Sequence, residues 1–128
     1  MKLLLDTCTF LWLTKGSKEL SQNAIEAFTD PKNAVYLSAV SAWEINVTYR
    51  FGKLFLPLAP DQFIPKERKR HLVAPLDLTE QGTLHLCKLP ATHKDPFDRM
   101  LICQAIEHSL TILTPDPLIV QYPIRNLW

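Results

Sequence analysis

Glycine is scarce in this chain of 128 residues, which holds three. Gly16, Gly52 and Gly82 stand far apart, so there is no glycine-rich phosphate loop and no GxSxG elbow, and the nucleotide-triphosphate and serine-hydrolase chemistries built on those motifs fall away. Cysteine is scarce too. Cys8, Cys87 and Cys103 are odd in number and lack CxxC spacing, which speaks against a disulfide framework and suits buried thiols in a reducing compartment. Long apolar runs are missing: Leu3–Leu5, Phe10–Leu13 and Leu101–Cys103 fall far short of the roughly 20 residues that span a bilayer, so no transmembrane helix is expected. Asp6 interrupts the first apolar stretch and no small-residue cleavage site follows it, so a secretory signal is not expected and a cytoplasmic location is.

What is present is ordinary globular material. Hydrophobic residues make up 47% and charged residues 21%, near the averages of about 45–50% and about 25%, which excludes a disordered chain. The length leads us to expect a single domain over 1–128. A formal net charge of +1 hides an asymmetry. Residues 50–70 carry six Lys or Arg against two acids, whereas residues 71–128 carry four against six. Such a local basic patch attracts a polyanion, and it equally describes a solvated helix face at Lys66–Arg70.

The hydrophobic pattern alternates strands with helices. Lys2–Asp6 reads as a strand covered on both faces, and Ser21–Asp30 as a helix stopped before Pro31. Ala34–Leu37 is a second strand. From Ser41, the residues Trp43, Val47 and Phe51 recur at intervals of four, with Gly52 at the left-handed terminus. Residues 53–66, with Pro57, Pro60 and Pro65, read as a linker or broken helix. Leu72–Leu76 is a third strand, and Asp77 with Glu80 forms a capping pair opening a helix through Lys88. Asp95-Pro96 caps a helix continuing through His108, Leu110–Leu113 is the last clear strand, and Tyr122–Arg125 adds an edge. The alternation implies a three-layer α/β/α sandwich with a short, mainly parallel sheet.

Ligands gather at the carboxyl ends of such strands. Asp6, Glu44, Asp98 and Asp116 fall there by sequence. Each has an ordinary explanation. Glu44 stands three residues after Ser41 at capping-box spacing, Asp98 complements a helix dipole, Asp95 is a helix cap, and Asp116 is a turn acid. Together, four acids at one sheet edge repel one another unless a cation neutralises them, and oxygen-only ligation suits Mg²⁺ or Mn²⁺ and phosphodiester hydrolysis. Asp6-Thr7-Cys8-Thr9 begins like an aspartyl-phosphate phosphatase motif but lacks its second Asp. His85, Cys87 and His93 lack the paired spacing of zinc ligands.

With these residues in hand, the chain resembles the PIN-domain ribonucleases, in particular the VapC-type toxins of bacterial toxin–antitoxin pairs. The matching pieces are LLLDT at 3–7, LSAVSAWEI at 37–45, HKDPFDRMLICQA at 93–105 and ILTPD at 112–116. The resemblance implies a single PIN-like nuclease domain whose metal-binding acids are Asp6, Glu44, Asp98 and Asp116. It implies a Mg²⁺- or Mn²⁺-dependent endoribonuclease, a small cognate antitoxin as partner, and a homodimer. It assigns Thr7, Asp95 and Thr114 to hydrogen bonds with metal-bound groups or water, and Arg99 to phosphate or to an acid. Cys8 departs from the small polar residue many relatives have there. A non-catalytic module that binds nucleic acid or protein on the same fold is the alternative. The basic segment, through Arg50, Lys53, Lys69 and Arg70, is expected to contact RNA backbone. Phe10–Leu13 cannot all face inward from one helix, so Trp12 with Leu13 is expected to line a groove for the antitoxin or a second subunit, unless the chain's own helices cover them.

Overall fold

The computed structural model describes all 128 residues. Its centre is a five-stranded, wholly parallel sheet: β1 (Lys2–Leu5), β2 (Ala34–Ser38), β3 (Ala74–Leu76), β4 (Thr111–Leu113) and β5 (Asn126–Leu127), in the order β3-β2-β1-β4-β5. The apolar run Leu3–Leu5 explains the central place of β1. Successive side chains of a strand point to opposite faces. Leu3 and Leu5 accordingly join Val35, Leu37 and Leu113 in one apolar cluster, while Leu4 joins Ile112 in the other. Helices α1 (Thr7–Lys15), α2 (Gln22–Thr29) and α4 (Pro60–Arg70) supply Phe10, Ala24, Phe63 and Ile64 to the first cluster. Helices α6 (Pro96–His108) and α7 (Pro117–Val120) supply Leu101, Ile102 and Ile119 to the second. Helix α3 (Ala39–Arg50) reaches both, through Ile45 and Val40, and α5 (Glu80–Leu84) packs on α6. The expected three-layer sandwich is the observed one.

Several local expectations are corrected. Residues 60–70 form a continuous helix despite Pro65. Pro60 occupies the first turn, where no N–H is needed, and Pro65 removes one interior bond, a loss offset by burial of Phe63 and Ile64. Helix α3 begins at Ala39, not Ser41, because the Ser38 hydroxyl accepts the Val40 N–H. Ser41 is therefore an interior residue and the capping box with Glu44 does not form. Thr79, not Asp77, caps α5 by accepting the Gly82 N–H, and the helix tightens to a 3₁₀ turn at His85–Lys88. The edge strand is Asn126–Leu127 rather than Tyr122–Arg125, since Tyr122 is pulled into the second apolar cluster. Gly52 is left-handed at φ 71°, as its place after the helix predicted.

Helix α1 also differs from expectation. Leu13 is 9% exposed and packs in the core beside Phe10, so it does not line an open groove. Trp12 is half-buried, with its ring centroid 5.8 Å from that of Trp128. The chain's own C-terminal residue covers it. Large exposed apolar side chains lie elsewhere, among them Trp43, Phe51, Phe55 and Leu72.

Candidate active site

The chain moves from β1 out to β3 on one side, then returns to place β4 on the other side of β1. That reversal makes the carboxyl ends of β1 and β4 a topological switch point, the place where open α/β sheets bind ligands. Leu5 pairs with both Leu37 and Leu113, so Asp6 and Thr114, which follow β1 and β4, stand level with Ser38 at the end of β2. Asp6 caps α1: one carboxylate oxygen accepts the Thr9 N–H at 2.7 Å and the other accepts the Thr114 hydroxyl. It is 5% exposed. Burial pushes its pKa up, the Thr114 and Thr9 bonds pull it back, and the charge of Asp116 adds to the rise.

The other acids arrive on helices. Glu44 projects from α3 onto α1, where its Oε1 accepts the Thr7 hydroxyl at 2.6 Å. Burial raises its pKa, Thr7 opposes the rise, and the charges of Asp95 and Asp6 favour it. Asp98 lies in the first turn of α6, and its Oδ2 is 3.4 Å from His93 Nε2. Its pKa is raised to about 6 by burial first and then by Asp95, with Asp116 and Glu44 contributing and His93 opposing. Asp116 caps α7 through the Leu118 N–H at 2.9 Å, and its own N–H donates to Thr114. Asp95 caps α6 by accepting the N–H groups of Phe97 and Asp98. One thiol registers the gathering. Cys8 is pushed up to about 11 by desolvation first, and then by Asp6, Glu44, Asp116 and Asp98 together.

The four acids thus share one edge, yet no three acidic, His or Cys side chains stand in ligating geometry. A closed carboxylate cage is not preformed; Asp6, Glu44, Asp98 and Asp116 each meet a hydroxyl, an imidazole or a backbone N–H of the chain. The donor set is all oxygen, and mutual repulsion with burial disfavours its charge; both properties fit a hard divalent cation. The scattered zinc ligands do not assemble. His85 pairs with Glu107 at 3.2 Å, and the exposed Cys87 donates to a backbone carbonyl.

The cations expected to contact RNA lie in separate parts of the fold. Arg99 Nη1 donates to Pro90 O at 2.8 Å, to Tyr122 Oη at 2.9 Å and to His93 O at 3.3 Å, so this nitrogen fastens a loop to α6 and pairs with no acid. Lys69 and Arg70 end α4 just before β3 begins, and Arg70 lines a cavity with Asp30, Asn33 and Val35. That is the amino edge of the sheet. The acids lie at the other edge, separated by the length of β2, five residues or roughly 17 Å. Arg50 is at the far end of α3 from Ala39, and Lys53 follows it; both are exposed. Sequence reasoning missed the partners of Asp98. His93 stands five residues before it in the HKDPFDR segment, but nothing local points to Tyr122.

These features define an α/β protein with acidic oxygen donors at the switch point of a parallel sheet. The family model of the PIN domain matches residues 3–123, and the chain belongs to the PIN-domain family. Over 56 residues it is 39% identical to Ribonuclease VapC16 of Mycobacterium tuberculosis; the match takes in 44% of this chain and 40% of that protein's length. Three solved assemblies share the fold. VapBC2 from Rickettsia felis bound to a promoter DNA fragment superposes with a TM-score of 0.75 at 15% identity, covering 100% of this chain and 99% of that one. VapBC-1 from nontypeable Haemophilus influenzae gives 0.69 at 19% identity, with 99% and 97% covered. DNA-bound VapBC from Salmonella typhimurium gives 0.68 at 21% identity, with the same coverage.

Proposed function

We propose that this chain is a divalent-metal-dependent endoribonuclease, the toxin of a toxin–antitoxin pair, acting in the cytoplasm through a single nuclease unit over residues 1–128. The observation that carries the reading is the placement of Asp6, Glu44, Asp98 and Asp116 at the carboxyl edge of the sheet, after β1 and β4 and on α3 and α6, in a PIN-family chain. These four residues would hold Mg²⁺ or Mn²⁺. When bound, such an ion supplies activated water and charge neutralisation at the departing oxygen of an RNA phosphodiester.

The chain's own part is to hold the acids in place. Thr114 and the Thr9 N–H hold both oxygens of Asp6, and Thr7 holds Glu44. Asp95 fixes the start of α6, so that Asp98 enters the site from its first turn, and the Asp95 charge lies close enough to act on both Asp98 and Glu44. Water is the nucleophile and no covalent enzyme intermediate forms. The antitoxin and a second copy of the chain belong to this reading by analogy with the VapBC assemblies that share the fold.

The alternative, a non-catalytic binding module, is favoured by one observation: each acid already has a partner within the chain and no ligating trio is formed. Cleavage of RNA by purified protein, with and without Mg²⁺ or Mn²⁺, separates the two. Asp98→Asn should abolish cleavage while preserving the circular dichroism spectrum, because it removes one negative oxygen donor and almost no volume. Wild-type cleavage by that variant would sink the four-acid site.

A further inference from the structure

Asp98 is the acid whose side-chain partner is an imidazole. Its Oδ2 meets His93 Nε2, His93 Nδ1 lies 2.8 Å from Tyr122 Oη, and Tyr122 Oη lies 2.9 Å from Arg99 Nη1. The chemistry of one end fixes the direction of the whole relay. A guanidinium has only donors, so Arg99 must donate to the Tyr122 oxygen. Tyr122 is 3% exposed, and its hydroxyl hydrogen has His93 Nδ1 as its nearby acceptor. His93 Nδ1 therefore accepts, which in a neutral imidazole places the ring proton on Nε2, aimed at Asp98. The reverse tautomer would strand the Tyr122 hydrogen and set an Nε2 lone pair against the carboxylate. Tyr122 also packs edge-on against the His93 ring, with centroids 5.3 Å apart, and Arg99 ties Pro90 O and His93 O to α6. The ring is held from its other nitrogen, its face and its backbone.

We propose that His93, set by the Arg99–Tyr122 clamp, is a positioning residue for Asp98: its Nε2–H holds one carboxylate oxygen and leaves Oδ1 free for a divalent cation. This rests on the four-acid reading above. Carboxylates that bind metal are themselves oriented by hydrogen bonds, and losing that partner commonly costs about 10- to 100-fold in metal affinity or activity. The relay joins three parts of the chain, the loop before α6, α6 itself and the segment after α7, so it also carries the arrangement of those parts to the acid.

The test is calorimetric titration of Mn²⁺ into the full chain, run beside RNA cleavage and thermal unfolding. His93→Ala should weaken Mn²⁺ binding about tenfold and lower kcat while leaving KM for RNA in place. His93→Gln keeps an N–H donor near the Nε2 position and should recover most of the loss. Tyr122→Phe keeps the buried ring, removes only the hydroxyl, and should fall between wild type and His93→Ala. If His93→Ala fails to fold, the Gln and Phe variants still decide. Wild-type Mn²⁺ affinity in the folded variants, with only a lower melting temperature, would make the relay a structural tie and overturn the proposal, as would a Gln variant no better than Ala. Failure of the four-acid reading looks different: wild-type protein would then bind no Mn²⁺ and cut no RNA.

Discussion

Asp98 holds its proton more tightly in the folded protein than an ordinary aspartate does, at about 6 against 3.8. The sign of the consequence follows from linkage. Between those values the folded state binds more protons than the unfolded one, so the ionised carboxylate costs stability above about pH 6, and that cost is relieved as pH falls toward 4. Asp6 and Glu44 are raised as well and act in the same direction. In metal-free protein, Asp98→Asn should therefore have a higher urea midpoint than wild type at pH 7, and the two midpoints should converge by about pH 4. A gap that stays constant with pH would mean the Asp98 carboxyl is not raised. Mn²⁺ binding should run the other way: its apparent affinity should weaken as pH drops through about 6, because protons compete with the cation for a ligand carboxyl that must be ionised.

Helix α1 shows how an element's surroundings redirect a substitution. Trp12 lies on Trp128 rather than in an open groove, so Trp12→Glu should lower stability by about 1–3 kcal/mol, read from urea unfolding. An unchanged midpoint would mean that the C-terminal tryptophan does not cover the ring. Helix α4 makes the complementary point. Its basic last turn, Arg68, Lys69 and Arg70, complements the helix dipole and lies at the sheet edge away from the acids. Replacing Lys69 and Arg70 with Ala should leave the single-turnover cleavage rate of bound RNA unchanged. The same change should flatten the salt dependence of binding for a long RNA and not for a short oligonucleotide confined to the acidic site. A fall in the cleavage rate of bound RNA would place this helix at the site.

At the scale of the whole molecule, the proposed cation site predicts that metal binding stabilises the fold, because a cation would neutralise partly buried acids. Mg²⁺ at a hundredfold excess over its Kd should add about 2.7 kcal/mol and raise the melting temperature, whereas Asp98→Asn should respond less. Indifference to metal in both proteins would count against ligation by these acids. Much of the architecture was legible from local signals. The run Leu3–Leu5 announced a strand buried on both faces, and Asp95-Pro96 announced the start of α6. Alternation of strand and helix implied a parallel sheet, and the place of Asp6, Glu44, Asp98 and Asp116 after strands or early in helices singled them out. Periodicity and capping depend on neighbours within a turn or two, which is why sequence alone determined them. Other features depend on residues far apart in the chain. Helix α4 survives Pro65 because Phe63 and Ile64 find a core to enter, and Glu44 is released from Ser41 because the helix starts at Ser38. Arg99 Nη1 meets Tyr122, and His93 is set between Tyr122 and Asp98, only once β4 and α7 bring Tyr122 back to α6. Tertiary structure decided those, since a hydrogen bond across the fold exists only after packing has set its donor and acceptor side by side.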